Sequence, residues 1–270
     1  HRGLHEDVLH REIDGSPKRS LGLTTALLSR ARRRDIEAIR GLTDRPCSAI
    51  SGNSSYTAAR IGEVYGVKAG VLLPSVVSDE FPAEAGSDEP TGSQDIAAPY
   101  SVSVGRASWV KGTWETVSML AGSGVSLVHV GGGAAEDLVR LTQHAESCGV
   151  GLWIAPRLSS PEMASLIRNA RAVVSMAHGE PFGLTPVESF SVGTPALFVD
   201  EGGFRDTVID GANGRLLERG DQAAWHSALE QAADAQTRAR WAEAGRSRIA
   251  ELDLSPEAHC SRLAVILDSL

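Results

Sequence analysis

No stretch of this 270-residue chain approaches the ~20 consecutive apolar residues that a membrane-spanning helix needs, and no signal peptide is visible. Cysteine is scarce. Cys47, Cys148 and Cys260 stand far apart with no CxxC pair, which argues against a disulfide framework or a thiolate zinc site and favours a reducing cytoplasm. Positive charge is in deficit: 26 Lys and Arg against 34 Asp and Glu leave −8 at neutral pH. Nothing then offsets phosphate repulsion globally, so nucleic acid is not an expected partner. The eight histidines form no HExxH and no His/Cys cluster. Neither G-x-S-x-G nor a P-loop occurs, no two aspartates stand two positions apart, and there is no internal repeat.

What is present is a globular composition, 42% hydrophobic and 22% charged, long enough for one large domain or two modest ones. The chain begins at His1 rather than Met, in loop-like sequence, and is expected to be a piece of a longer protein. Residues 1 to 15 are polar and without period. From Ser16-Pro17 to Arg40, Leu23, Leu27, Ala31 and Ile39 recur at helical spacing with Arg30, Arg32, Arg33 and Arg34 between them, an amphipathic helix. Arginines so placed ordinarily mark a solvated face. The sharper alternative is contact with anionic lipid or an acidic acceptor.

Cys47 to Ser51 reads as a short strand and Ser54 to Tyr65 as a helix ended by Gly66. Val71-Leu72-Leu73-Pro74 follows as an extended piece. Residues 79 to 97 carry six acids and no bases, the composition of a surface linker. From Tyr100 a regular alternation sets in. Strand-like runs at Tyr100–Val104, Val125–Val130, Gly151–Ala155, Ala172–Met176 and Ala196–Val199 are separated by helical segments near Thr113–Leu120, Ala134–Cys148, Pro161–Ala170 and Pro186–Val192. Such alternation predicts βαβ units: an α/β, doubly wound parallel sheet of Rossmann type, with ligands at the carboxyl ends of the strands. Beyond it, Asp221–Ala233 and Ala235–Leu252 read as helices, and Ser255-Pro256-Glu257 starts a last one.

The most informative stretch is Gly179 to Pro195, GEPFGLTPVESFSVGTP. It predicts a strand end, a glycine turn and a helix start, with Thr185 as N-cap, Pro186 at the first helical position and Glu188 closing a capping box. A helix start offers unpaired N–H groups that suit a phosphate. The carboxylates of Glu180 and Glu188 would repel phosphate; they suit neutral hydroxyls, as on a sugar or a ribose. A phosphate between two hydroxyl-bearing groups describes a nucleotide sugar.

A second cluster, Gly105-Arg106-x4-Lys111-Gly112, follows the strand Tyr100–Val104 and places two cations where they could neutralise a diphosphate. Gly131-Gly132-Gly133 fails as a dinucleotide fingerprint because Glu136 stands at the third glycine position; it reads as a tight turn. After the strand Gly151–Ala155, Arg157 precedes Ser160, read as an N-cap with Pro161 behind it. Asp200 reads as a turn or cap residue.

Glu180-x7-Glu188 with Phe182-Gly183-Leu184 inside and Gly193-Thr194-Pro195 after it resembles the donor-site motif of retaining glycosyltransferases of the GT-B fold, family-4 type (glycosyl transferases group 1). GRASWVKG resembles the GR…KG element of that family. AISGNSSYTAARIGEVYGVKAGVLLPSVV resembles the point where the family's chain leaves its first domain. The resemblance covers about residues 45 to 270. It implies a remnant of the N-terminal acceptor domain over 1–73, a nucleotide-sugar-binding Rossmann-like domain over 74–254 and a C-terminal crossover helix over 255–270. It implies transfer of a sugar from a nucleotide-diphosphate sugar to a carbohydrate, lipid or small-molecule acceptor, with this chain as the donor-binding half.

By that carry-over Arg106 and Lys111 bind the pyrophosphate, and Glu180 holds sugar hydroxyls. The amides around Phe182, Gly183 and Leu184 meet sugar and phosphate, and Glu188 takes the ribose. Gly105 and Gly132 line the nucleotide and Arg157 passes its base. No cofactor is implied. With no D-x-D motif, Mg²⁺ or Mn²⁺ dependence is not expected. The missing first domain leaves His1 or His5 as remnants of its histidine loop and the last helix with an exposed apolar strip. The expected location is cytoplasmic, with peripheral contact at the inner membrane face as an extension. Two other readings stay open: a GT-B epimerase or phosphorylase, and a sugar-nucleotide-binding module without transfer.

Overall fold

In the computed structural model, residues 11–18, 21–76 and 96–270 are described. The expectations for His1, His5 and most of the acidic linker lie outside them. The chain runs α1 (Leu21–Thr43), β1 (Ser51–Gly52), α2 (Ser55–Tyr65), β2 (Gly70–Val71), β3 (Tyr100–Val104), α3 (Thr113–Leu120), β4 (Ser126–Val130), α4 (Ala135–Cys148), β5 (Leu152–Ile154), α5 (Ser160–Asn169) and β6 (Val173–Ser175). It continues with α6 (Thr185–Ser191), β7 (Ala196–Val199), α7 (Phe204–Thr207), β8 (Gly214–Leu217), α8 (Gln222–Gln231), α9 (Ala235–Leu252) and α10 (Pro256–Asp268).

Six strands form one parallel sheet in the order β5-β4-β3-β6-β7-β8. The predicted doubly wound sheet is therefore present. Its strands are apolar on both faces, with Val102, Leu127, Val128, Val173, Val174, Leu197 and Phe198 fully buried, as expected of a sheet covered by helices on each side. Winding proceeds from β3 outward to β5, then returns past β3 to β6 and outward to β8. The direction reverses between β3 and β6, the point at which folds of this kind place a ligand crevice at the strands' carboxyl ends.

Two elements escape the sequence pattern. β8, Gly214-Arg215-Leu216-Leu217, is short and carries an arginine, and only its ladder with β7 makes it a strand. Arg215 reaches out to Asp210 at 2.7 Å. α7 is a single turn, too short for any periodicity to show. Residues 11–15, read as featureless, and Ser16-Pro17, read as the start of the first helix, instead close a small turn through an Arg11–Pro17 bridge, and α1 runs from Leu21. That turn inserts Ile13, 2% exposed, into the main core, and Arg140 of α4 secures it through Asp14 at 2.6 Å and Glu12 at 3.3 Å. A single buried apolar residue in a polar run leaves no period to find.

Cap positions also shift. The strand read at Cys47–Ser51 is confined to Ser51–Gly52. The N-cap of α5 is Ser159, not Ser160; its hydroxyl accepts from the Glu162 amide and Glu162 completes the box. For α2 the predicted limits hold, with Ser54 as N-cap and Gly66 in the left-handed region at the C-cap. Along α10 no residue is buried, and Val265, Leu267 and Leu270 are exposed, the apolar strip foreseen for the last helix. A hollow of about 680 Å³ lies between that helix's end and the β1–β2 pair, lined by Ile50, Val67, Lys68 and Ile266. None of its lining residues is a predicted donor ligand. No described helix is long and apolar enough to cross a membrane.

Beneath the glycine turn, His129 of β4 is 1% exposed. Its Nε2 lies 3.2 Å from the Gly132 carbonyl, which can only accept, so Nε2 carries the proton and Nδ1 accepts from the Ser103 hydroxyl at 3.0 Å. Burial lowers its pKa and the Gly132 bond only partly opposes this. The unfolded chain therefore takes up a proton near pH 6.5 that the folded chain refuses, and stability falls as pH drops through that range. Urea unfolding is expected to show a loss of up to about 1.4 kcal/mol per pH unit below pH ~6.5 from this group. His129→Gln should lower stability at pH 7.5 yet flatten that slope. An unchanged slope would assign the acid sensitivity elsewhere.

Candidate functional site

The predicted ligands sit on loops leaving the carboxyl ends of sheet strands or on the turns after them, except Glu188, which lies in the first turn of α6. Of those on the loops after β3 and β6, Lys111 and Glu180 meet across the reversal in strand order. Lys111 ends a 3₁₀ turn, Trp109–Lys111, that follows β3. Glu180 lies in the turn after β6. Their side chains meet, Nζ to Oε2 at 2.6 Å, at 35% and 19% exposure. A cation and an anion are thus presented together at the crevice. The Gly105 Cα borders the Lys111 side chain closely enough that a Cβ there would stand 3.3 Å from its Cδ.

The two loops are tied by more than that pair. His178 donates its backbone N–H to the Val110 carbonyl at 2.8 Å, and its ring stacks on Trp109 with centroids 4.2 Å apart. Its Nε2 lies 2.8 Å from Glu115 Oε1. Gly112 makes the approach possible, since it adopts φ 61 and any Cβ would collide with the Met176 carbonyl. On the far side, Arg219 donates to the Met176 carbonyl at 2.6 Å and grips Glu201 at 2.9 and 3.1 Å. Arg219 was not legible as a site residue, because its partners lie 18 and 43 positions away.

The glycine turn 131–133 packs under the β3 loop, where the Ala107 amide donates to the Gly132 carbonyl at 2.7 Å. A Cβ at Gly131 would press on Gly105 and one at Gly133 on Ala107, whereas at Gly132 it would meet nothing within 4 Å. Only the middle glycine faces open space. Phe182, 2% exposed, turns its ring into a small cluster with Val187, Leu252 and Leu254, so only its backbone can face a ligand. The Leu184 side chain is 42% exposed, and Arg106 is exposed on its loop.

The start of α6 differs from expectation. Thr185 is its first residue, not its cap; Leu184 occupies the cap position in helical conformation and no side chain caps the end. The capping box proposed for Thr185 and Glu188 does not form. Glu188 lies half-buried in the first turn of α6, with its amide on the Leu184 carbonyl at 3.0 Å. Asp200, read as a turn or cap residue, lies at the bend that follows β7, where it holds Arg205 at 2.6 Å. Arg157 is exposed after β5, the sheet's edge strand, with β4 and β3 between it and β6. The structure draws together Gly105, Lys111 and Glu180, and it leaves Arg157 apart. Among the described residues, no group of three or more His, Cys, Asp and Glu could hold a metal ion.

A parallel, doubly wound sheet with a cation–anion pair at its switch point defines an α/β domain with a candidate ligand site at the carboxyl ends of its strands. The chain belongs to the glycosyl transferases group 1 family, which matches residues 94–248. It is 32% identical over 161 residues to a D-inositol 3-phosphate glycosyltransferase of Streptosporangium roseum, covering 53% of this chain and 37% of that protein. It is 30% identical over 155 residues to a glycogen synthase of Mycobacterium tuberculosis, covering 54% and 37%. The matched segment thus spans little more than a third of either relative's length. Among solved structures, the sucrose-phosphate synthase of Thermosynechococcus elongatus superposes with a TM-score of 0.69 at 22% identity over 84% of this chain and 59% of that one. Anabaena HepE, solved in complex with UDP and glucose, gives 0.71 at 19% identity over 88% and 67%. These likenesses establish the GT-B type of fold.

The close approach at Gly112 makes a sharp contrast with Gly132. Gly112→Ala should cost about 3 kcal/mol or more, because positive φ and a backbone collision combine. Gly132→Ala should cost only about 1–2 kcal/mol, the strain of the left-handed conformation without a clash. Denaturant midpoints of the two variants test this; equal losses would show that the β3 loop can withdraw from Met176.

Proposed function

We propose that this chain is the donor-binding half of a retaining glycosyltransferase, moving a sugar from a nucleotide-diphosphate sugar to an acceptor. The observation that carries the reading is the Lys111–Glu180 pair at 2.6 Å across the β3/β6 crevice. Each member of that pair suits a different part of one donor: the ammonium a pyrophosphate, the carboxylate sugar hydroxyls. Donor binding would exchange the ion pair for these two contacts. Family membership supports the reaction class, and the names of the relatives and the UDP in the Anabaena protein support the donor class.

In this proposal Arg106 joins Lys111 on the pyrophosphate, and the amides of Phe182, Gly183 and Leu184 meet sugar and phosphate. Glu188 accepts from the ribose, Gly105 and Gly132 let the nucleotide approach, and Arg157 passes the base. The nucleoside diphosphate leaves from the face the acceptor enters, with positive charge developing on the sugar. The main catalytic term is stabilisation of the leaving group by the two cations, with no protein nucleophile and no metal. Residues 1–73 are then the remnant of the acceptor domain, 74–254 the donor domain and 255–270 the crossover helix. The acceptor class is carbohydrate, lipid or small molecule.

The test uses the complete protein, a panel of nucleotide sugars and release of nucleoside diphosphate, with chelator present throughout. Lys111→Met and Glu180→Gln are each expected to lower kcat/KM by about 100-fold, the scale of losing one group that stabilises transition-state charge. Tight donor binding with no release, acceptor present or absent, would instead favour the binding module.

The location we propose is cytoplasmic, with α1 touching the inner membrane face. Ile36 and Ile39 turn inward to pack beside α2, while Leu23 and Leu27, 72% and 61% exposed, align with exposed Arg30 and Arg34 at helical spacing on the outer face. Leucines beside arginines suit an anionic bilayer surface. Flotation with anionic vesicles but not with neutral ones is the expected result, lost in Arg30→Glu/Arg34→Glu. Equal flotation of that variant would return α1 to a solvated face.

A further inference from the structure

The turn that bears Glu180 is gripped from a part of the chain more than a hundred residues upstream. Ser54, fully buried, donates its hydroxyl to the Pro181 carbonyl. Thr57 donates its own to the same oxygen at 3.1 Å. A carbonyl has two lone pairs, and here both are taken. The neighbouring carbonyl, that of Glu180, accepts from the Gly203 amide at 2.7 Å. Gly203 has to be glycine for this, since a Cβ would strike the Pro181 carbonyl. From α7, Asp206 accepts the Ser55 amide at 2.6 Å, which locks the start of α2 against the loop that also holds Glu180. Pro181 lacks an N–H, so its carbonyl is the only backbone handle it offers.

These contacts exceed what helix capping requires. Ser54 already satisfies the α2 start by accepting from the Thr57 amide at 2.9 Å; its donated bond, and the whole of Thr57's, are spent on the donor turn. The grip falls between Glu180 and Phe182, whose ring packs with Leu73 and Val76 of the segment leaving α2 and β2. We infer that Ser54 and Thr57 are positioning residues, which hold the Pro181 carbonyl and thereby set where the Glu180 carboxylate stands. They need not touch substrate. A carboxylate that binds a sugar must be held to within about 0.5 Å by groups that do not themselves react, and two hydroxyls on one carbonyl provide that restraint. The inference rests on the proposed role of Glu180.

The experiment is a double-mutant cycle in the complete protein, read as release of nucleoside diphosphate from its preferred nucleotide sugar. Thr57→Val keeps shape and loses the hydroxyl. It is expected to lower kcat/KM for donor about 3- to 10-fold, the effect of one neutral hydrogen bond, and Thr57→Ser should restore it. In a Glu180→Gln background the same change should have less than about a twofold effect, because residues acting through one group are not additive. If Thr57→Val folds poorly, Ser54→Gly replaces it, since glycine is tolerated at an N-cap and carries no hydroxyl. A full effect in both backgrounds, or none in either, would overturn the positioning role while leaving the donor site intact. Undiminished transfer by Glu180→Gln itself would overturn the donor-site reading and the positioning role together.

Discussion

Parallel pairing of β3 with β6 at Val102 and Val173 is the contact on which the rest of this molecule depends. The pairing joins the half of the sheet that comes first in the chain, β3 to β5, to the half that runs from β6 to β8. Loops after β3 and after β6 must then leave in divergent directions, because their helices pack on opposite sides of the reversal. The crevice follows from strand order, and its charge from the two loops beside it. Strands buried on both faces make an unpaired polar residue costly; Ser103 and His129 bond each other, while the buried Ser101 hydroxyl of β3 has no partner among the described residues.

Across the crevice the loops are joined by contacts of several kinds, and their chemistry is unequal in consequence. The His178 amide to the Val110 carbonyl and the Trp109–His178 stack are structural, since neither need break for a ligand to bind. Lys111 and Glu180 differ, being partly exposed and complementary. In the proposed function this pair is exchanged for ligand contacts, whereas the backbone contacts around it can stay in place. Arg219, with Glu201 and the Met176 carbonyl, stiffens the turn from behind. The candidate site is thus a partly exposed ion pair on two loops that backbone and side-chain bonds hold together.

Legibility divided along physical lines. Strands Tyr100–Val104 and Ala196–Val199 and helices Thr113–Leu120 and Ala235–Leu252 coincide with the observed limits, because a continuous apolar run or a helical period is a local signal. The cap positions at Thr185 and Ser160 did not coincide, since several adjacent residues could cap and packing selects among them. β8 escaped because pairing, not composition, makes it a strand. In the candidate site the glutamate turn and the GR…KG loop were visible as motifs. Thr57, Asp206 and Arg219 were not, for their partners lie far off in sequence and no short pattern joins them.

By itself the sequence determined that this is a parallel α/β chain carrying two motif-bearing loops, and which side chains those loops offer. Local preference suffices for that, since alternation of apolar runs with helical periods admits few arrangements and right-handed crossovers remove most of them. Tertiary structure alone decided that Lys111 and Glu180, 69 residues apart, meet at 2.6 Å. It alone decided that Arg157 stands at the end of an edge strand, and that the Pro181 carbonyl is held by hydroxyls from α2. Those facts depend on strand order and on which loops strand order makes neighbours, and neither is a property of any local stretch.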